Sequence, residues 1–134
     1  MRHLELLAPA KNLECGRAAV DHGADAVYIG ASRFGARAAA GNSVADIAEL
    51  CTYAHRFGVK VYVTVNTIVY EDELDDTQRL IWDLYRAGAD AILVQDMGLL
   101  KMQLPPIALH ASTQTDNRSA EKVSWLLGHG FERV

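Results

Sequence analysis

A nine-residue phrase that occurs twice in this 134-residue chain constrains its fold more than any other feature. Residues 22–30 read HGADAVYIG, and residues 87–95 read AGADAILVQ. In each copy a glycine ends an amphipathic stretch, and a short apolar run begins within three residues. A glycine in this place is typical of the end of a helix, and the apolar run is typical of a buried strand.

The same pattern, a glycine between an amphipathic stretch and an apolar run, recurs in weaker form at Gly58 and Gly130. The spacing between these glycines, roughly 30 to 40 residues, is that of one strand–helix unit. The sequence therefore predicts strands and helices that alternate along the whole chain.

The ends of the elements are marked by capping and breaking residues. The predicted strands are 4–8, 25–30, 59–66, 90–95 and 107–112, and residues 131–134 begin a sixth. The predicted helices are 11–22, 44–57, 72–87, a short one at 97–103, and 118–129. Ser43 and Asp46 have the spacing of a capping box, and Pro105 and Pro106 prevent the short helix from continuing.

Side-chain alternation distinguishes an open doubly wound sheet from a barrel. In the third strand one face carries Val61, Val63 and Val65, and the other carries Tyr62, Thr64 and Asn66. An open sheet covered by helices on both sides should be apolar on both faces, whereas one face here becomes polar toward the carboxyl end. We therefore predict an α/β fold, a parallel (β/α) TIM-type barrel with strand order 1-2-3-4-5 and the long helices on one face.

A complete barrel of this type needs about 250 residues. This chain holds five βα units and the start of a sixth strand, so the barrel is predicted to be incomplete. We expect residues 1–134 to form a single domain, the N-terminal portion of such a barrel. Because its edges would be unpaired, the isolated chain is expected to self-associate.

Composition limits the class of protein. Half of the residues are apolar, 22% are charged and the net charge is −4, which fits a soluble globular chain with one core. With no apolar run long enough to span a membrane and no signal-peptide pattern, we expect a cytoplasmic protein without a membrane partner. Cys15 and Cys51 lie within predicted helices without C-x-x-C spacing, and they are interpreted as small apolar residues.

The loop after the second predicted strand, residues 30–42, carries Arg33, Phe34, Arg37 and Asn42 among small residues. Guanidinium groups beside an aromatic ring suit a phosphate or a stacked base. Alternatively, these arginines hold the loop in place by pairing with acids. The first strand is followed by Ala8-Pro9-Ala10, which is interpreted as a rigid turn.

The third and fourth strands also end in polar residues. Asn66 would place an amide at the mouth of the barrel lumen, or it would cap the following loop. Gln95 ends the fourth strand, and Asp96 after it is favoured as the N-cap of the short helix rather than as a catalytic group.

The densest polar segment, residues 110–117, follows the fifth strand. His110 within an apolar strand must be desolvated, so it is either a hydrogen-bonded core residue or a functional one. His110 and Ser112 point the same way but stand roughly 6.5 Å apart along the strand, too far for a direct hydrolytic dyad. The sequence also lacks a G-x-S-x-G elbow, an H-E-x-x-H motif and a phosphate-binding glycine loop.

Several segments together resemble the N-terminal part of peptidase family U32, the collagenase-like family. They are, in order, residues 5–10, 25–30, Phe34, Arg37, Asn42, 65–67, 109–114 and Asn117. The resemblance implies a role of the full-length protein in oxygen-independent hydroxylation of pyrimidines in tRNA or rRNA. The alternatives are a collagenase-like protease and, if 134 residues were the natural length, a non-catalytic half-barrel module.

The resemblance also bears on cofactors and on the site. The resemblance implies an iron–sulfur cluster as one option for the cofactor of the full-length protein, with cysteine ligands mostly outside this chain, so the cofactor is left open, the fragment alone is expected to be inactive and no metal ligand is assigned here. Catalysis is predicted for His110, Asn66 and Gln95. Substrate binding, with RNA as the expected partner, is predicted for Arg33, Phe34, Arg37, Asn42, Tyr28, Ser112, Gln114 and Asn117.

Overall fold

A computed structural model describes residues 4–32 and 41–134, and within them strands and helices alternate as predicted. The strands are β1 (Leu7–Ala10), β2 (Ala26–Gly30), β3 (Lys60–Val65), β4 (Ala91–Val94), β5 (Ala108–Ala111) and β6 (Phe131–Arg133). The helices are α1 (Leu13–Asp21), α2 (Val44–His55), α3 (Leu74–Arg86) and α4 (Ala120–Gly128). Short 3-10 helices cover Glu71–Glu73, Met97–Lys101 and Thr113–Thr115.

The described strands form one sheet in the order β1-β2-β3-β4-β5-β6, and every neighbouring pair is parallel. The predicted strand order is therefore confirmed. The sheet is also strongly curled, which is shown by the contact between Glu5, just before β1, and Arg133 of β6. In a flat sheet, strands five spacings of about 4.8 Å apart would lie roughly 24 Å from each other. The architecture is an incomplete parallel barrel.

All four helices pack on one face of the sheet. The main core joins Val61, Val63 and Val65 of β3 to buried residues of the helices, including Leu50 of α2 and Leu126 of α4. The opposite face carries a separate small cluster, Ala26, Tyr62 and Ala91, to which the described part of the chain contributes strand residues alone. The predicted alternation is confirmed, and the second face lines the lumen.

Two structural features explain the repeated phrase. The first is the backbone conformation of its glycine. Gly23 and Gly88 have φ values of +89° and +97°, in the left-handed region that favours glycine. The next residue in each copy donates its backbone N–H to a carbonyl five residues back, Ala24 to Ala19 and Ala89 to Leu84, both at 3.1 Å. This is the Schellman pattern, which ends the helix and directs the chain into the next strand.

The second structure is formed by the aspartate of each copy. The backbone N–H of Asp25 donates to Leu6 O at 2.9 Å, and Asp25 Oδ2 accepts the N–H of Leu6 at 2.7 Å. Asp90 makes the same pair of bonds with Val61, at 2.9 and 2.7 Å. Each aspartate therefore fastens the start of its own strand to the start of the preceding strand.

One predicted strand is displaced, and two predicted helices are wholly or partly of the 3-10 type. β1 occupies residues 7–10 rather than 4–8, because Asp25 takes the N–H of Leu6 and the supposed rigid turn at Pro9 is part of the strand, paired with Tyr28. β1 is an edge strand in the described sheet, where proline is tolerated. Residues 97–101 form a 3-10 helix, and the third helix begins with a 3-10 turn before Leu74.

The predicted capping box is present, and two further helices have caps that were not predicted. Ser43 and Asp46 form the capping box of α2, with Ser43 Oγ accepting the N–H of Asp46 at 3.1 Å. Asn12 caps α1, and Ser119 caps α4. Among the described residues, no helix is both long enough and apolar enough to cross a membrane.

Candidate functional site

The carboxyl ends of β3, β4 and β5 bring three predicted residues to the mouth of the lumen. Asn66 Nδ2 donates to Ser112 Oγ at 3.3 Å, across the strand that lies between them. Gln95 follows β4, and the register Val94–Ala111 places it beside Ser112. Asn66, Gln95 and Ser112 therefore form one polar layer, which we call the mouth layer.

Ser112 is 2% exposed and anchors the turn that follows β5. Its Oγ accepts the N–H of Gln114 at 3.2 Å, and its carbonyl accepts bonds from Thr115 Oγ1 at 2.7 Å and from Asn117 Nδ2 at 3.3 Å. Asn117 thus supports the turn, while Gln114 is exposed beside the mouth. Within the described residues no histidine bonds to Ser112, which agrees with the absence of a serine–histidine dyad.

His110 lies one layer deeper than the mouth layer. It pairs with Leu93 of β4 and is 7% exposed. Its ring meets the ring of Tyr62 at 74°, with centroids 4.7 Å apart. In the part of the chain that the structure describes, no hydrogen bond to either ring nitrogen is found. Burial lowers the pKa of His110, and the positive charge of Arg133 lowers it further, so the imidazole is neutral at neutral pH.

Beneath His110 lies a charged cluster that the sequence did not reveal. Arg133 Nη1 and Nη2 donate to Glu5 Oε1 and Oε2 at 2.5 and 3.1 Å, and Tyr62 Oη donates to Glu5 Oε2 at 3.0 Å. The Arg133 guanidinium also lies over the Tyr62 ring, 5.3 Å from its centroid. We call Glu5, Tyr62 and Arg133 the floor cluster.

The electrostatics of the floor cluster follow from these bonds. The hydrogen bond from Arg133 lowers the pKa of Glu5, and the bond to Glu5 raises the pKa of Arg133. Burial, followed by the bond to Glu5, raises the pKa of Tyr62 to about 12. At neutral pH the cluster is therefore an ion pair bridged by a neutral phenol.

The remaining predicted residues fall into two groups. Asn42 is 6% exposed, and its Nδ2 donates to the carbonyls of Gly30 at 2.9 Å and Lys11 at 3.1 Å, which ties the end of its loop to β2 and α1. Tyr28 is half-buried on the lumen face beside Tyr62. Arg33, Phe34 and Arg37 lie outside the described residues.

Asp96 has the capping role that the sequence favoured. Its Oδ1 accepts the N–H of Gly98 at 2.7 Å, at the start of the 3-10 helix over Met97–Lys101. Its Oδ2 also accepts the N–H of Val69 at 2.9 Å, which joins the loops after β3 and β4. This carboxylate therefore shapes the mouth of the lumen through two backbone contacts.

Comparison with known proteins decides the family. Residues 11–134 match the sequence profile of Peptidase family U32. The chain belongs to this family. The family predicted from the motifs is thereby confirmed, and the match covers β2 to β6 with the mouth layer and His110.

Named relatives of the U32 chain include RNA-modifying proteins and a protease. It is 56% identical to the 23S rRNA 5-hydroxycytidine synthase of Escherichia coli K12, over 98% of this chain and 20% of that protein. It is 35% identical to tRNA hydroxylation protein P1 of Bacillus subtilis 168, over 97% and 32%, and 30% identical to the Collagenase of Porphyromonas gingivalis, over 87% and 29%. The chain spans between a fifth and a third of the length of these curated relatives.

Solved structures agree with the barrel architecture. A U32 peptidase superposes with a TM-score of 0.72 at 11% identity, covering 98% of this chain and 59% of that one. Phosphonopyruvate hydrolase superposes with a TM-score of 0.68 at 15% identity, covering 98% and 53%. At these identities the likeness concerns the fold alone.

The cysteines of the U32 chain do not fit an iron–sulfur cluster. Cys51 is 1% exposed in the main core, and burial raises the pKa of its thiol to about 12, which disfavours the thiolate that binds iron. Cys15 is exposed on α1, on the helix side of the sheet. Among the described residues, no group of three His, Cys, Asp or Glu side chains is placed to hold a metal ion. The described residues of this chain therefore do not form a cluster site.

Proposed function

We propose that the intact gene product hydroxylates a pyrimidine of RNA, with a cytidine of ribosomal RNA as the first candidate, and that it does so in the cytoplasm. The observation that carries this proposal is the 56% identity to the E. coli rRNA 5-hydroxycytidine synthase over 98% of the chain. The B. subtilis tRNA hydroxylation protein supports the same class of substrate. The chain described here would supply the N-terminal wall of the barrel and would be inactive alone.

The lumen offers groups that suit a base turned out of its stack. Enzymes that react with a base in structured RNA must extrude it into a pocket and read its polar edge. Asn66 and Gln95 carry amides that can both donate and accept, as the edge of a pyrimidine requires. Below them the neutral imidazole of His110 can accept a hydrogen bond or a proton. We assign His110 the central role and give the two amides a binding role.

A proteolytic function has weaker support. The P. gingivalis Collagenase, 30% identical, and an uncharacterized protease of Methanocaldococcus jannaschii, 38% identical, favour it, but both identities are below the 56% of the E. coli synthase. The hydroxyl of Ser112 is engaged by Asn66 and by the N–H of Gln114, and His110 one layer below is not bonded to it. A serine without a base to accept its proton is a poor nucleophile. The same contacts do not argue against RNA hydroxylation.

The test uses cells that lack the gene and carry either the wild-type gene or the His110→Asn variant. Ribosomal and transfer RNA are digested to nucleosides and analysed by mass spectrometry. We expect the wild type to restore a pyrimidine with one additional oxygen and His110→Asn to abolish it while remaining soluble. His22→Asn, at an exposed position after α1, is the matched control and should behave as wild type.

Two results would contradict this role. Normal RNA hydroxylation by His110→Asn would exclude the histidine from the reaction. Loss of soluble protein would show that the imidazole holds the barrel together. Cleavage of collagen by the purified wild-type protein, with unchanged RNA in the deletion strain, would favour the protease instead.

A further inference from the structure

The floor cluster connects residues that are far apart in the chain. Glu5 and Arg133 are 128 residues apart, and Glu5 and Tyr62 are 57 apart. Their contact spans the lumen from the segment before β1 to β6. The Arg133 and Glu5 side chains are 44% and 24% exposed, so this pair lies in an open lumen rather than in the main core.

Tyr62 connects the Glu5–Arg133 ion pair to His110. Its hydroxyl is held by Glu5, one side of its ring lies against the Arg133 guanidinium, and the ring also meets His110. Tyr62 itself is 2% exposed, which leaves its ring no room to turn. The orientation of the imidazole is therefore set by a phenol that the ion pair fixes.

The charges around His110 come from two sides of the lumen. Arg133 on β6 and Lys60 on β3 lower the pKa of the imidazole, and Glu132 on β6 and Glu5 before β1 raise it. Tyr62, with its pKa raised to about 12, is neutral. Glu5 raises the pKa of His110 and Arg133 lowers it. Removing either residue alone would therefore shift this pKa.

We propose that the floor cluster is the support of the active site: Glu5 and Arg133 are positioning residues that, through Tyr62, orient the His110 ring and place two opposite charges beneath it. This deepens the proposed function and rests on it, because the supported group is the imidazole assigned to RNA hydroxylation. A neutral imidazole with a fixed ring can offer a base one acceptor and one donor in defined directions.

The experiment measures the titration of His110 in the intact gene product. Protein with isotope-labelled histidine rings is titrated by NMR, and the His110 resonance is identified by its absence in His110→Asn. Arg133→Gln should raise the pKa of His110, because a nearby positive charge is removed. Glu5→Gln should lower it, because a negative charge is removed and Arg133 is left uncompensated. Both glutamines keep hydrogen-bonding groups at similar size.

A matched control is available on the helix side of the sheet. Arg17 of α1 and Glu49 of α2 form an ion pair at 2.5 Å between partly exposed side chains. Arg17→Gln and Glu49→Gln remove the same charges away from the lumen, so they should leave the pKa of His110 unchanged. Arg133→Lys, which keeps the charge, should also leave it near the wild-type value.

The proposal is overturned if neither floor variant changes the pKa of His110, or if both change it in the same direction. A common direction would mean that the variants only admit water to the lumen. Insolubility of Arg133→Gln or Glu5→Gln would also overturn it, since the pair would then hold the fold. The titration needs no RNA reaction, so it remains decisive even if His110→Asn hydroxylates RNA normally.

Discussion

Substituting the aspartate of the repeated phrase should lower the free energy of unfolding. The size of the loss depends on how deeply the residue bonded to the aspartate is buried. Asp90→Ala removes the acceptor of the Val61 N–H, and Val61 is 0% exposed, so water reaches the freed N–H less readily than it reached the carboxylate. A buried donor left without a partner costs about 1–3 kcal/mol. The Asp90 side chain is 28% exposed, and its contact with His55 at 2.9 Å adds at most about 1 kcal/mol. We expect Asp90→Ala to lower the free energy of unfolding by about 2–3 kcal/mol.

Asp25→Ala is the matched variant, because Asp25 makes the same pair of bonds with Leu6. Leu6 is 59% exposed, so water can reach its freed N–H and the expected loss is below about 1 kcal/mol. Urea unfolding of the chain, followed by circular dichroism, gives both values. Equal losses, or a larger loss for Asp25→Ala, would refute the reasoning, because burial would then not decide the effect. Asp90→Asn, which keeps an acceptor oxygen, should lie between wild type and Asp90→Ala.

Two further predictions concern acidity and assembly. The pKa of Glu5 is lowered by Arg133, so the stability that this ion pair contributes is present above the ordinary value of about 4.5 and is lost as the pH falls through the lower folded-state pKa. Thermal unfolding at neutral and acidic pH should therefore show a smaller acid loss for Glu5→Gln than for wild type; an equal loss would contradict this. The chain made alone should self-associate at tens of micromolar, an estimate of where open edges begin to pair, through β1 and the segment before it, where Leu4 and Leu6 are 75% and 59% exposed. Sedimentation should show less association for Leu6→Lys, and a monomeric wild type would exclude the idea.

Local features of the sequence determined the elements and their faces. Gly23 and Gly88 predicted helix ends because a left-handed φ favours glycine, and the alternation of Tyr62 with Val61 and Val63 predicted a lumen face. These signals are short-range, so they can be recognised without knowing what each strand contacts. The same holds for the mouth layer, since the carboxyl ends of neighbouring parallel strands meet at one edge.

Boundaries failed where a distant residue decided them. β1 begins at Leu7 because the Asp25 side chain takes the N–H of Leu6, nineteen positions away, and nothing in residues 4–8 indicates this. Pro9 suggested a turn, yet it is accommodated in the strand because β1 has a single neighbour in the described sheet.

The sequence by itself determined the parallel strand–helix alternation, the polar face and the place of His110 near the end of β5. Only the tertiary structure decided what lies beneath His110. The contact between Glu5 and Arg133 depends on the curl of the whole sheet. This curl results from the twist between every pair of neighbouring strands and from the packing of four helices on one side. Which residues meet across the lumen depends on the curvature of the whole sheet, and so a local sequence pattern cannot predict these contacts.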